Sequence, residues 1–68
     1  MAERLVNHLR QLRTDRGWTQ AELAARVGVS RKTINTVENG IFVPSTVVAL
    51  RLAQALSLPV ERLFELDE

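Results

Sequence analysis

The sequence predicts an all-α fold, a compact five-helix bundle, on three observations. Apolar residues recur three and four positions apart, and nowhere does the chain alternate as a strand would. Capping residues stand ahead of those apolar runs at Thr19, Ser30 and Ser45, and Gly17, Gly28 and Asn39-Gly40 close the runs in front of them. No internal repeat or low-complexity tract interrupts the pattern, and 68 residues make room for one domain over 1–68.

The first helix is expected over roughly Ala2–Arg16, where Leu5, Leu9 and Leu12 with Val6 form an apolar stripe that Gly17 ends. Thr19 and Glu22 then spell a capping box. The threonine hydroxyl and the glutamate carboxylate each satisfy a free backbone N–H, and Trp18 is placed to staple onto Leu23. This second helix stops at Gly28. Ser30 caps the third, which carries Arg31-Lys32-Thr33 in its first turn and ends at Asn39-Gly40. Its apolar residues Ile34 and Val37 lie three apart, so Arg31, Lys32, Asn35 and Thr36 are expected to face away from the core. After a loop through Ile41-Phe42-Val43-Pro44, Ser45 caps a fourth helix running to about Leu56, with Val48, Ala49, Leu52, Ala53 and Leu56 on one face. Pro59 suits the first turn of a short fifth helix that returns Leu63 and Phe64 to the core.

Composition narrows the function by exclusion. The chain has no cysteine, so neither a disulfide nor a thiolate metal site is available, and His8 is a lone histidine. No Ser/His/Asp arrangement, phosphate-cradling glycine loop or paired-carboxylate pocket occurs, so no catalytic residue, metal or cofactor is expected. No apolar run reaches the roughly 18 residues of a membrane span, and no charged leader precedes one. The expectation is a soluble, unprocessed, cytoplasmic chain with no membrane partner.

The net charge of +1 is unevenly spread. Residues 1–40 hold seven Lys/Arg against four Asp/Glu, whereas residues 41–68 hold two against four and end in an acidic tail over 65–68. Cation therefore gathers in the half that carries the polar third helix, as an electrostatic footprint on phosphate would require.

Three stretches carry the sharpest signal: Thr19-Gln20-Ala21-Glu22-Leu23-Ala24, Gly28-Val29-Ser30-Arg31-Lys32-Thr33-Ile34 and Val37-Glu38-Asn39-Gly40. They describe two short helices joined by a glycine turn over 19–39, the second helix starting with a basic face. That is the build of a helix-turn-helix. The chain resembles the phage-repressor-like (Cro/C1, or XRE) helix-turn-helix regulators from about Val6 to Leu66. Gln20, Ala24, Gly28, Ile34 and Val37 match the family's core motif, and Arg10-x-x-Arg13-x-x-x-Gly17-x-Thr19-Gln20, Phe42-x-Pro44-Ser45 and Leu63-Phe64 match its framing pieces. Ala24 is small where two helices cross, and Gly28 turns the chain in a conformation that penalises a Cβ.

The resemblance implies a lambda-repressor-like DNA-binding domain with the helix-turn-helix in helices 2 and 3. It places Ser30, Arg31, Lys32, Asn35 and Thr36 at base edges and Gln20, Asn39 and Arg13 at phosphates. Arg31 suits guanine, because its planar fork bonds O6 and N7 together. Arg13 and Glu38 match a partly buried ion pair that ties the first helix to the third. By the same resemblance the expected partner is double-stranded DNA, and a homodimer would read paired half-sites. Ile41, Val43, Val47 and Leu50 are candidates for the dimer surface, because Val47 and Leu50 lie off the main core face, while the resemblance packs Phe42 inward. The function implied is a sequence-specific regulator, a repressor, associated with the nucleoid when bound. A second reading is an antitoxin or adaptor in which a protein partner dominates; the acidic tail and the apolar 41–50 stretch serve that reading.

Overall fold

In the structure, a computed structural model that describes residues 4–67, the order is β1 (Arg4–Asn7), α1 (Leu9–Asp15), α2 (Gln20–Val27), α3 (Arg31–Glu38), α4 (Thr46–Leu56), α5 (Val60–Leu63) and β2 (Phe64–Asp67). Local chemistry sets most of these boundaries. The Thr19 hydroxyl accepts the Glu22 amide at 3.0 Å while the Glu22 carboxylate accepts the Thr19 amide at 2.9 Å, so the capping box is closed on both sides. The Ser30 hydroxyl accepts the Thr33 amide and the Ser45 hydroxyl the Val48 amide, starting α3 and α4 in the same way. Each such cap stabilises its helix by about 1 kcal/mol. α2 ends at Gly28 with φ +82°, where a Cβ would meet nothing nearer than Arg51 Nη1 at 3.9 Å. It is the backbone angle, not crowding, that asks for glycine there.

Every helix contributes to one aliphatic core. Leu9, Leu23, Ile34, Val37, Leu52, Leu56 and Leu63 are fully buried, with Ala24, Val27 and Ala53 closing the gaps between them. Trp18 packs half-buried on this core, and the Arg26 guanidinium lies 4.1 Å from its ring centroid. The Arg16 guanidinium donates to the Leu56 carbonyl at 2.6 Å, which fastens the end of α1 to the last turn of α4.

The fold is mostly helical but not all-α. Arg4–Asn7 is a strand, antiparallel to Phe64–Asp67, with Arg4 opposite Asp67 and Leu5 opposite Leu66. The first helix is therefore shorter than its apolar stripe suggested. It begins at Leu9, and the expected start at Ala2 lies outside the described residues. Leu5 stands on the ribbon, 38% exposed, instead of extending the helical stripe into the core. The reason is tertiary. At Phe64 the backbone turns extended (φ −134°, ψ 142°), which supplies a partner strand, and pairing with it overrides the weak local preference of Arg4–Asn7. The His8 amide donates to the Leu63 carbonyl, and the His8 ring sits 2.8 Å from the Glu65 carboxylate, extending the seam. Of the acidic tail, Glu65–Asp67 thus belongs to β2, and Glu68 lies outside the described residues. Leu63 reaches the core, whereas Phe64 rests half-buried against it from the strand.

Candidate nucleic-acid interface

α3 has two faces because its apolar residues are three apart. Ile34 and Val37 are buried, which turns Arg31, Lys32 and Asn35 to solvent, with Ser30 exposed at the cap. Among the described residues, the Arg31 and Lys32 side chains have no hydrogen-bond or ion-pair partner, so both cations are available to an external anion. Thr36 is half-buried, and its hydroxyl donates to the Lys32 and Thr33 carbonyls at 3.0 Å each. The Ser30 hydroxyl, besides capping, meets the Thr33 hydroxyl at 2.9 Å.

Behind this face lies a carboxylate with no side-chain exposure, Glu38. Arg13, whose side chain is 12% exposed, donates from Nε to Oε2 at 2.6 Å and from Nη2 to Oε1 at 3.2 Å. Its Nη1 donates to the Trp18 carbonyl at 2.7 Å. Glu38 Oε1 also accepts from Gln20 Nε2 at 3.1 Å and from Arg10 Nε at 3.4 Å. The chain continues outward. Gln20 Nε2 donates to Asn35 Oδ1 at 3.2 Å, Asn39 Nδ2 donates to that same oxygen at 3.1 Å and to the Asn35 carbonyl at 2.9 Å, and Arg10 Nη2 donates to Asn39 Oδ1 at 2.8 Å. Arg10, Glu38, Gln20, Asn35 and Asn39 therefore form a closed ring of hydrogen bonds joining α1, α2 and α3.

Burial works to raise the Glu38 pKa. Hydrogen bonds from Arg13 and Gln20, then the charge of Arg13 and the Arg10 hydrogen bond, outweigh it and hold the carboxyl below the usual carboxylate value. Reciprocally, the Glu38 hydrogen bond raises the Arg13 pKa against the opposing effect of its burial. Glu38 is thus a buried anion, compensated on every side, and removing one partner alone would strand the other.

The structure brings Gln20, Asn35, Asn39, Arg13 and Glu38 together and leaves Arg31 and Lys32 beside them, free and exposed. It also sets the roles of the side chains apart. Both hydrogens of the Gln20 amide and of the Asn39 amide are used inside the ring, and all the Arg13 contacts point inward. Arg10, absent from the residues that sequence reasoning assigned a role, bridges Glu38 and Asn39 while its own side chain stays 57% exposed. Its signal was in the spacing: three residues before Arg13, it shares that residue's helix face. Ile41, Val43, Val47 and Leu50 are all exposed, and Phe42 is 45% exposed, so its inward packing is only partial; Ile41 and Phe42 adjoin the α3 surface, their amides donating to the Thr36 carbonyl.

Among the described residues no helix is long and apolar enough to cross a membrane, and no group of three or more His, Cys, Asp or Glu is placed to hold a metal ion. A family model described as a helix-turn-helix domain matches residues 4–66. An uncharacterized HTH-type transcriptional regulator, YgzD of Bacillus subtilis (strain 168), is 39% identical over 64 residues, which cover 94% of this chain and 97% of that protein. The antitoxin HipB of Escherichia coli (strain K12) is 33% identical over 54 residues, 79% of this chain and 61% of that one. Among solved structures, the restriction-modification controller protein C.AhdI from Aeromonas hydrophila superposes with a TM-score of 0.76 at 39% identity, covering 79% of this chain and 82% of the other.

Proposed function

The chain belongs to the XRE-like helix-turn-helix family of DNA-binding transcriptional regulators, and we propose that it is a sequence-specific repressor that binds an inverted repeat in duplex DNA as a homodimer. One observation carries this reading: α3 is anchored by Ile34 and Val37 and presents Arg31 and Lys32 outward, exposed and, among the described residues, unpaired. α3 enters the major groove, with Ser30, Arg31, Lys32, Asn35 and Thr36 nearest the base edges. Arg31 takes guanine through O6 and N7. Lys32 takes a neighbouring base or a phosphate.

Phosphate contacts fix register without reading sequence. Since the amide donors of Gln20 and Asn39 are occupied in the ring and Arg13 is turned inward to Glu38 and the Trp18 carbonyl, these three act on phosphate chiefly by holding the surface in shape. The contact itself passes to exposed Arg10 and to the free backbone amides that open α2 beside Gln20. A single module covers roughly 600–1,000 Å². Pairing through Ile41, Val43, Val47 and Leu50 removes exposed apolar surface and doubles that footprint, setting two reading helices about one DNA turn apart. The likeness to a restriction-modification controller supports a regulatory role of this size.

The likeness to HipB favours a second reading, an antitoxin in which the apolar face receives a protein partner and DNA binding is secondary. Selection of bound sequences from a random duplex library, repeated with Arg31→Ala, separates the two. An enriched inverted repeat that loses a guanine preference in the variant supports the repressor reading. Binding indifferent to sequence, or none, transfers the weight to a protein partner.

A further inference from the structure

An asparagine in a major groove ordinarily takes adenine, accepting from N6 with its carbonyl oxygen and donating to N7 with its amide. Here that oxygen is occupied. Asn35 Oδ1 accepts from Gln20 Nε2 at 3.2 Å and from Asn39 Nδ2 at 3.1 Å. The arrangement has one polarity, because two adjacent members of the ring, Arg10 and Glu38, are charged groups with a single hydrogen-bonding role. A carboxylate only accepts and a guanidinium only donates. Glu38 therefore fixes Gln20 with its amide nitrogen inward, and Arg10 fixes Asn39 with its carbonyl oxygen toward the guanidinium and its amide nitrogen toward Asn35. Turning the Asn35 amide over would set its NH2 against two other NH2 groups. Among the described residues Asn35 Nδ2 has no partner, and the residue is exposed on the same face as Arg31.

Resting on the DNA-reading function proposed above, we infer that Asn35 is a donor-only specificity residue, selecting guanine or thymine and rejecting adenine, with its orientation dictated by buried Glu38 through Gln20. Guanine offers two acceptors, O6 and N7, and thymine offers O4. Adenine offers N7 but sets its own N6 donor beside it, and cytosine offers only the N4 donor. Arg31, Lys32 and Asn35 then all address base acceptors.

Sequence selection with three proteins tests this. Asn35→Ala, a charge-neutral change to a good helix former, identifies the base position that depends on this side chain. The wild-type chain is expected to prefer guanine or thymine there by about tenfold over adenine, the scale of one mismatched base. Asn35→Asp keeps both accepted hydrogen bonds and turns the outward group from donor to acceptor, so preference at that position moves to cytosine. If the added charge unfolds Asn35→Asp, the wild-type and Asn35→Ala pair decides the matter alone. An adenine at the responding position, or an enriched motif in which no position responds, overturns the inference and leaves the regulator reading standing. No enrichment by the wild-type chain overturns both.

Discussion

Helices α3 and α4 begin with the same chemistry, a serine hydroxyl accepting the amide three residues on, and both bury aliphatic side chains in one core. What they turn to solvent differs. α3 shows Arg31, Lys32 and Asn35, and the last of these is held by a ring that reaches a buried carboxylate. α4 shows Val47 and Leu50, 59% and 55% exposed, beside the exposed Arg51 and Gln54. Inward faces and caps are therefore enough to define the fold, and the outward faces are free to serve different partners. A polar surface that must recognise a pattern of donors and acceptors is fixed in advance by hydrogen bonds. An apolar surface needs only to be uncovered.

The largest expected effect comes from removing the support behind α3. Glu38→Ala strands the Arg13 guanidinium in the interior and is expected to destabilise by about 3–5 kcal/mol, a large share of a small domain's stability. Urea denaturation measures this, and an unchanged midpoint would show that the pair contributes nothing. Titration weakens the same network without removing atoms. Because the folded chain holds the Glu38 carboxyl below its usual value, the unfolded chain binds that proton first as the pH falls. The stabilisation is complete above the unfolded value of about 4.3 and is lost as the pH drops through the lower, folded value. Denaturation midpoints measured from pH 7 to pH 3 are expected to fall more steeply for the wild-type chain than for Glu38→Gln; equal slopes would contradict this.

Next in size are the two caps. Ser30→Ala and Ser45→Ala each cost about 1 kcal/mol, read as shifts in thermal midpoint, and only Ser30→Ala also weakens DNA binding. Equal effects on binding would place α4 in the interface as well. The smallest effect on folding belongs to the outward face of α4. Leu50→Lys is expected to leave chain stability within about 0.5 kcal/mol, while sedimentation is expected to show the proposed homodimer giving way to the monomer. A dimer that survives both Leu50→Lys and Val47→Lys would move the pairing surface elsewhere.

The helix-turn-helix was legible because its determinants are short-range. Thr19 with Glu22, Ser30 with Thr33 and the positive φ of Gly28 all act within a few residues. The ribbon was not, because Leu5, Leu9 and Leu12 keep helical spacing while the partner that makes Arg4–Asn7 a strand lies at the far end of the sequence. Among the proposed recognition residues, the outward placement of Arg31 and Lys32 followed from Ile34 and Val37. The occupied donors of Gln20 and Asn39 did not, since spacing puts amides side by side without saying which atom faces which. That needs the buried anion and its geometry.

The β1–β2 ribbon also bears on the order of events in folding. Pairing Arg4 with Asp67 and Leu5 with Leu66 closes nearly the whole described chain into a loop, at an entropic cost of roughly 3–4 kcal/mol for a flexible chain of that length. Two strands of four residues cannot meet that cost alone. The ends come together only after the helices have drawn them close, so the clasp forms last and opens first. Amide protons in the ribbon then exchange through this local opening, while those of α2 and α4 wait for the whole domain to unfold.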